Sequence, residues 1–358
     1  MKKTLRIAAV TSAVVLTLAS CGSRPSDKAD DEVEKGTQYP DFKACMVSDS
    51  GGFDDKSFNQ TSYAGLVNAK EKHGLKTAEV ESNSDAEYDG NLKELVNADC
   101  NQITTVGFKL AAATLKSAKA NPDVDYAIVD STYIDESGKN TAPANVKGLS
   151  FKTDEAAFLA GYLGASQSKT GKVGTFGGMN IPTVTIFMNG FAKGVAKYNE
   201  DNDANVQVIG WDEAKQKGSF TNDFETQSKG QSVAKTLIRQ GADVVMPVAG
   251  PAGLGGLKAV KDAGVMGIWV DTDGCVSAAE YCDVLLSSVV KAMDVAVQQA
   301  ITDSAEDKFT NEVYEGTLAN EGVSLAPFHE FDSKIDQKVK DELKALQEQI
   351  ISGDLKVN

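Results

Sequence analysis

The chain has 358 residues, with 51 Asp and Glu against 36 Lys and Arg, for a net charge of −15. Such an acidic balance argues against nucleic acid or an anionic membrane surface as a partner and serves mainly to keep an exposed protein soluble. An aromatic content of 7% and 32 glycines suit an ordinary α/β protein, and the roughly 320 residues beyond the N-terminal stretches exceed what one core supports, so two domains are expected.

Residues 1–20 read as an export signal. Lys2, Lys3 and Arg6 form a basic head, and the apolar run Ile7 to Leu18 is too short for a stable transmembrane helix. Leu18-Ala19-Ser20-Cys21 then places small residues directly before a cysteine, the pattern of a bacterial lipoprotein signal cut before Cys21. The competing reading is an ordinary secretory signal with a chance cysteine. Leu18 three residues before Cys21 favours lipidation. Residues 21–40 hold almost nothing apolar to bury and are expected to be a disordered tether, so the membrane would be met through the N-terminal lipid only.

Four further cysteines, Cys45, Cys100, Cys275 and Cys282, allow three pairings, and outside the cytoplasm an even number suggests disulfides. Cys275 and Cys282 flank a short loop. Cys45 opens one apolar strand candidate and Cys100 immediately precedes another. Zinc is the alternative, but the CxxC signature is missing and neither His73 nor His329 is a sequence neighbour of a cysteine. Disulfides without a metal are therefore expected, with their connectivity open.

The body begins with Ala44–Val47, which runs into Ser48-Asp49-Ser50-Gly51-Gly52 and then a helical pattern from about Phe58 to Gly74. Further strand candidates are Thr77–Val80, Ile103–Val106, Tyr126–Val129, Val146–Phe151 and Val173–Phe176. Val206–Ile209, Val244–Val248, Ile268–Val270 and Val284–Leu286 complete the series. Helical patterns fall between most of them, at Asn91–Ala98, Ala111–Ala120, Glu155–Ser166, Val184–Tyr198, Thr226–Gln240 and Ser288–Ile301. Near-continuous apolar strands alternating with helices mean parallel sheet covered on both faces. Two similar α/β lobes account for the number of strands.

Ligands of such sheets collect beyond the carboxyl ends of the strands. Asp49, Asp130 and Asp271 each end a strand, and Gly250 follows the strand Val244–Val248. Singly, each aspartate reads as a cap or turn residue; together they read as a binding edge. The first loop adds a ring, Phe58, and a two-way amide, Asn59, a set that suits a flat polar ring better than a phosphate. The run Gly250-Pro251-Ala252-Gly253-Leu254-Gly255-Gly256 has neither dinucleotide nor P-loop spacing, and is read as a tight turn that brings backbone close to a small ligand. No G-x-S-x-G elbow or H-E-x-x-H zinc helix occurs, and the aspartates are dispersed over separate strands, so an enzyme is the weaker reading and no cofactor is expected.

Asp49-Ser50-Gly51-Gly52-Phe53-Asp54-Asp55-Lys56-Ser57-Phe58-Asn59 resembles the signature of the basic membrane protein family, lipoprotein substrate-binding components of ABC importers similar to purine nucleoside receptor A proteins. Glu155–Tyr162, Gly177–Pro182, Gly218–Thr221, Gly253–Gly255, Val289–Lys291 and Ile350–Val357 also fit, so the resemblance covers about residues 40–358. It implies a type I periplasmic-binding-protein fold, two doubly wound Rossmann-like lobes joined by three crossovers that close over ligand by a hinge. Carried onto this sequence, Phe58 and Phe220 would sandwich a purine base. Asp49, Asn59 and Asp130 would hydrogen-bond the base or the adjoining sugar, with Ser50 and Gly250 beside them. Asp271 would accept from ribose hydroxyls and Lys291 would donate to a sugar oxygen. Pro251 departs from the family, which usually has a second glycine there, and removes one backbone donor.

The sequence thus predicts lobe 1 from 41–150 plus 272–305 and lobe 2 from 151–271 plus 306–358. It predicts a lipid-anchored, extracytoplasmic, monomeric receptor that hands a nucleoside, purine favoured, to an ABC permease. A sugar receptor or a sensor of the same fold is the alternative, and a nucleoside hydrolase a more distant one.

Overall fold

The computed structural model describes residues 35–357. The export signal, Cys21 and most of the expected tether lie outside the described residues. In chain order the strands are β1 (Lys43–Ser48), β2 (Lys76–Glu81), β3 (Gln102–Val106), β4 (Asp125–Val129) and β5 (Val146–Phe151). They continue with β6 (Lys172–Gly177), β7 (Gln207–Ile209), β8 (Trp211–Asp212), β9 (Lys217–Gly218) and β10 (Val244–Val248). The last are β11 (Met266–Asp271), β12 (Leu285–Lys291), β13 (Tyr314–Gly316) and β14 (Val323–Leu325). The α-helices are α1 (Phe58–His73), α2 (Tyr88–Asn97), α3 (Ala111–Ala120), α4 (Thr153–Gln167) and α5 (Pro182–Asn202). They are followed by α6 (Gln227–Arg239), α7 (Gly250–Ala263), α8 (Gly274–Ser277), α9 (Met293–Ala305) and α10 (Gln337–Ser352).

One sheet runs β2-β1-β3-β4-β5-β13, all parallel, and the other β7-β6-β10-β11-β12-β14, parallel except for β14. Each is a doubly wound sheet of the 2-1-3-4-5 order with one added edge strand, so each has a switch point between its first and third strands. The central strands β3 and β10 are buried at every position. β10 reads as a continuous apolar run, whereas β3 also buries Gln102, Thr104 and Thr105, with Gln102 Nε2 donating to Thr104 Oγ1 at 2.9 Å and Thr114 Oγ1 to Thr105 Oγ1 at 2.9 Å. The edge strand β2 is only half covered and alternates Glu with Val.

Three segments cross between the lobes: Phe151 to Thr153, Lys291 to Met293, and Gly316 to Val323. They are stitched together by the amides of Lys152 and Ala292, which donate to Gly316 O at 2.7 Å and Gly322 O at 3.0 Å. In lobe 2, α4 and α5 pack backbone to backbone, because a side chain at Gly161 or Gly194 would run into the carbonyl of Phe191 or Phe158.

The expected lobe boundaries need correction. Residues 285–291, assigned to lobe 1, form a central strand of the second sheet, and 314–316, assigned to lobe 2, pair with β5 in the first. The expected helix from Ser288 begins only at Met293, because β-branched Val289 and Val290 continue β12 between β11 and β14. Lys291 therefore ends a strand rather than beginning a helix. The tether is also shorter than expected. Residues 36–39 are pinned to the end of α1 by Gly36 N to Lys72 O at 3.0 Å, Tyr39 N to His73 O at 2.8 Å and the His73 ring nitrogen Nδ1 against Thr37 O at 2.8 Å. The Cys45 and Cys100 sulfurs lie 1.96 Å apart and those of Cys275 and Cys282 2.00 Å apart. No helix among the described residues is long and apolar enough to cross a membrane.

Candidate functional site

Both switch points open onto one cleft between the carboxyl ends of the two sheets, holding about 620 Å³ free of protein atoms. From lobe 1, Asp49 follows β1 and Gly107 follows β3. Gly107 has φ +107°, and a Cβ there would strike the Asp49 carboxylate, so glycine is required for that carboxylate to sit at the switch point. Gly51 and Gly52, at φ +115° and +67°, reverse the chain toward α1. Asp55 then gathers the amides of Ser57, Asn59 and Gln60 at 2.9, 2.9 and 3.0 Å and fixes the start of the helix. That start places Phe58 and Asn59 in the cleft.

Asn59 Nδ2 donates to Asp49 Oδ1 at 3.2 Å and approaches Ser50 O at 3.5 Å. Both partners are acceptors, which sets the amide orientation and leaves Asn59 Oδ1 buried without a partner. Burial pushes the Asp49 carboxyl up to about 7, against the Asn59 hydrogen bond that pulls it down. Burial likewise pushes Asp55 to about 6 against its three amides.

Asp130 and Asp271 directly follow or end β4 and β11 with φ +60° and +71°, turns that aspartate tolerates and that direct both residues to the cleft. Lys291 at the end of β12 is buried, and its Nζ lies 2.5 Å from Asp130 Oδ2 across the lobe boundary. Its ammonium also sits 4.9, 5.2 and 5.7 Å from the ring centres of Phe58, Phe151 and Phe187. Burial raises the Asp271 pKa, opposed by Lys291 and by a 2.6 Å hydrogen bond from Ser57 Oγ.

The cleft thus brings together Asp49, Ser50, Phe58, Asn59, Asp130, Gly250, Asp271 and Lys291. Phe220 is the exception. Its backbone bridges to Gly177, its ring meets Trp211 edge-on at 6.1 Å, and it borders a shallow groove with Thr221 and Ser228 outside the cleft. The lobe 2 rings in the cleft are Phe187 and Phe224. Phe224 is held by Ala252 N donating to its carbonyl at 2.8 Å and is seated over Gly178. Phe220 follows from carrying the family pattern onto this sequence; Phe224, four residues on between Asp223 and Glu225, carries no local signal that sets it apart from Phe220.

The glycine run is also a correction: Gly250 begins α7 rather than a tight turn. Gly255 lets the helix lie against α6, where a Cβ would meet Gln227 O, while Gly253 and Gly256 make room for Trp269, Phe176 and Pro247. This helix start is poor in donors for an anion, since Pro251 has no N–H and the Ala252 amide is already engaged. Asp273, Cys275 and His329 have potential ligand atoms within 4.8 Å of one another, bringing His329 beside a cysteine it is remote from in sequence. The Cys275 sulfur, however, lies 2.00 Å from that of Cys282, a disulfide distance at which it is not placed as a free thiolate ligand.

Two α/β lobes with a cleft at the carboxyl ends of both sheets and three crossovers make the type I periplasmic-binding-protein fold. The solved solute-binding protein of an ABC transporter system from Aeropyrum pernix is similar at TM-score 0.77 and 24% identity, covering 88% of this chain and 92% of that one. A glucose-galactose binding protein from Geobacillus stearothermophilus shares the fold at TM-score 0.58 and 14% identity, over 81% and 99% of the two chains. The family of PnrA-like ABC transporter substrate-binding proteins (Bmp) matches residues 42–357, and the chain belongs to it. Its members bind substrates rather than transform them. Among its relatives, the CD4+ T-cell-stimulating antigen of Listeria innocua is 32% identical over 97% of this chain and 95% of that protein. The ABC transporter nucleoside-binding protein BmpA of Lactococcus lactis is 28% identical over 99% of each.

Proposed function

We propose that the protein binds a nucleoside, purine favoured, between its lobes and delivers it to an ABC permease. The observation that carries this reading is the imbalance of the cleft: four carboxylates and an unpartnered buried amide oxygen face one lysine, within aromatic walls. An acceptor-rich site of this kind rejects phosphates and takes a neutral ligand rich in N–H and O–H donors with a flat face to stack. Phe58, on lobe 1, and Phe224, on lobe 2, are the stacking rings in this reading. Asp49 and Asn59 meet the base edge, and Asp130, Asp271 and Lys291 the ribose. The Lactococcus relative, a nucleoside-binding protein by name, supports the same solute class.

In the same reading the chain is exported, anchored by lipid on Cys21, oxidised at both cysteine pairs, and works as an extracytoplasmic monomer. Thermal unfolding with adenosine, guanosine, inosine, uridine, ribose and adenine tests the solute. A ligand at about a hundred times its dissociation constant adds roughly 2.7 kcal/mol, a shift of a few degrees. A shift with purine nucleosides, absent with ribose or adenine alone, is expected. A shift with sugars only would replace the nucleoside by a sugar.

A further inference from the structure

Ser57 holds the N-cap position of α1, where a serine ordinarily accepts from an amide of the first turn. Here its side chain makes no cap bond, because Asp55 has taken that role. The Ser57 hydroxyl, fully buried, is directed away from its own helix and donates across the lobe boundary to Asp271 Oδ2 at 2.6 Å. Beside it, Trp269 Nε1 of lobe 2 donates to Lys56 O of lobe 1 at 3.2 Å. Two consecutive residues of the lobe 1 loop are thus fastened to the end of β11. Asp271 lines the cleft and Ser57 does not.

We propose that Ser57 is a positioning residue for the solute: from lobe 1, its hydroxyl orients the Asp271 carboxylate of lobe 2 as an acceptor facing the cleft. This rests on the reading of Asp271 as the partner of solute hydroxyls. The charged groups that face Asp271 are Lys291 at the end of β12, Asp130 after β4 and Asp55 in the loop before α1. Ser57 is the neutral donor in this group, so removing its hydroxyl changes no charge in the cleft and removes no helix cap. A hydroxyl that donates to a carboxylate favours the ionised form. Without it the Asp271 pKa rises further, and solute binding fails at a higher pH as the medium is acidified.

The test uses the full chain and its S57A, S57T, D271N and S57A/D271N variants. Guanosine binding is followed by calorimetry from about pH 5 to about pH 8. The Asp271 carboxyl is followed by carbon NMR without solute, its signal assigned by its loss in D271N. In S57A, affinity near neutral pH should fall about tenfold, the acid limb of binding should move to higher pH, and the Asp271 titration should move with it. S57T should restore all three, and in the D271N background S57A should cost nothing more. Wild-type affinity and pH profile in S57A, an equal loss in the D271N background, or an unmoved Asp271 titration would each overturn the proposal. Failure of the wild-type protein to bind guanosine would overturn the nucleoside reading, and the solute-free titration would still decide the role of Ser57.

Discussion

The two lips of the cleft share one sheet order and differ in chemistry. At the switch point of lobe 1 stand half-buried Asp49 and buried Asn59, whose amide donates to the carboxylate. At the corresponding edge of lobe 2 stand Val248, Phe224 and, from the start of α5, Val184 and Phe187. The fold supplies the same concave location twice, and the few residues after each strand decide what it can hold. In the proposed reading, one lip reads the hydrogen-bond pattern of the solute and the other covers its flat face. Asp271 and Lys291 are charged groups that lobe 2 brings to the cleft, and each is tied to lobe 1, through Ser57 and Asp130 respectively.

The strongest way to break this division is to remove the charge that joins the lips. Lys291→Met leaves Asp130 and Asp271 without their cation and should destabilise the protein by about 3 kcal/mol. Urea unfolding at pH values near 8 and near 5 checks this. The loss should shrink as the pH is lowered, because burial raises the Asp271 pKa and protonation removes the charge left without its cation. An undiminished midpoint near pH 8 would show that the pair does not hold the lobes.

The apolar lip is tested by two phenylalanines four residues apart. Phe224→Ala should weaken nucleoside binding by about 1–3 kcal/mol, the range for loss of one stacking ring, while Phe220→Ala should change it less than about twofold. Calorimetric titration separates them, and the reverse order would return the stacking role to Phe220.

The polar lip is tested by Gly107→Ala, which forces a side chain into the positive-φ backbone and against Asp49. A stability loss of about 1–3 kcal/mol is expected, read by thermal unfolding, together with weaker solute binding because Asp49 is displaced.

The smallest effect concerns the proton on Asp49. Its folded pKa, about 7, lies above its unfolded value of 3.8, so the folded state binds the proton more tightly. The stabilisation from this group is therefore complete below the unfolded value and is lost as pH rises through about 7. A nucleoside that donates to Asp49 favours the ionised carboxylate, so binding near pH 6 should release protons. Calorimetry in buffers of different ionisation enthalpy reads that release, and an enthalpy independent of buffer would remove Asp49 from contact with a ligand donor.

Much of this fold was legible because buried parallel strands must be apolar at nearly every position. β1, β4 and β10 stand out on that ground, while β3 is buried with Gln102, Thr104 and Thr105 inside it. The aspartates at strand ends were legible for a related reason: a charged residue directly after an apolar run marks where the chain leaves the sheet. Lys291 misled because Val289 to Met293 contains a boundary that periodicity cannot locate, with strand before it and helix after. The helix α7 was hidden by four glycines that a local reading takes for a turn, and tertiary packing requires three of them: Gly255 against α6, Gly253 against Trp269 and Gly256 against Phe176 and Pro247.

By itself the sequence determined the class of sheet, the presence of two lobes and the acceptor-rich character of the site, because burial and strand-end position leave their mark on consecutive residues. The tertiary structure decided which sheet receives β12 and β13, which phenylalanine of the 220–224 loop turns inward, and that Ser57 reaches across to Asp271 rather than capping its own helix. Those outcomes depend on contacts between residues up to 214 positions apart. No local pattern carries them, because the partner that satisfies each side chain is brought alongside only when the lobes assemble.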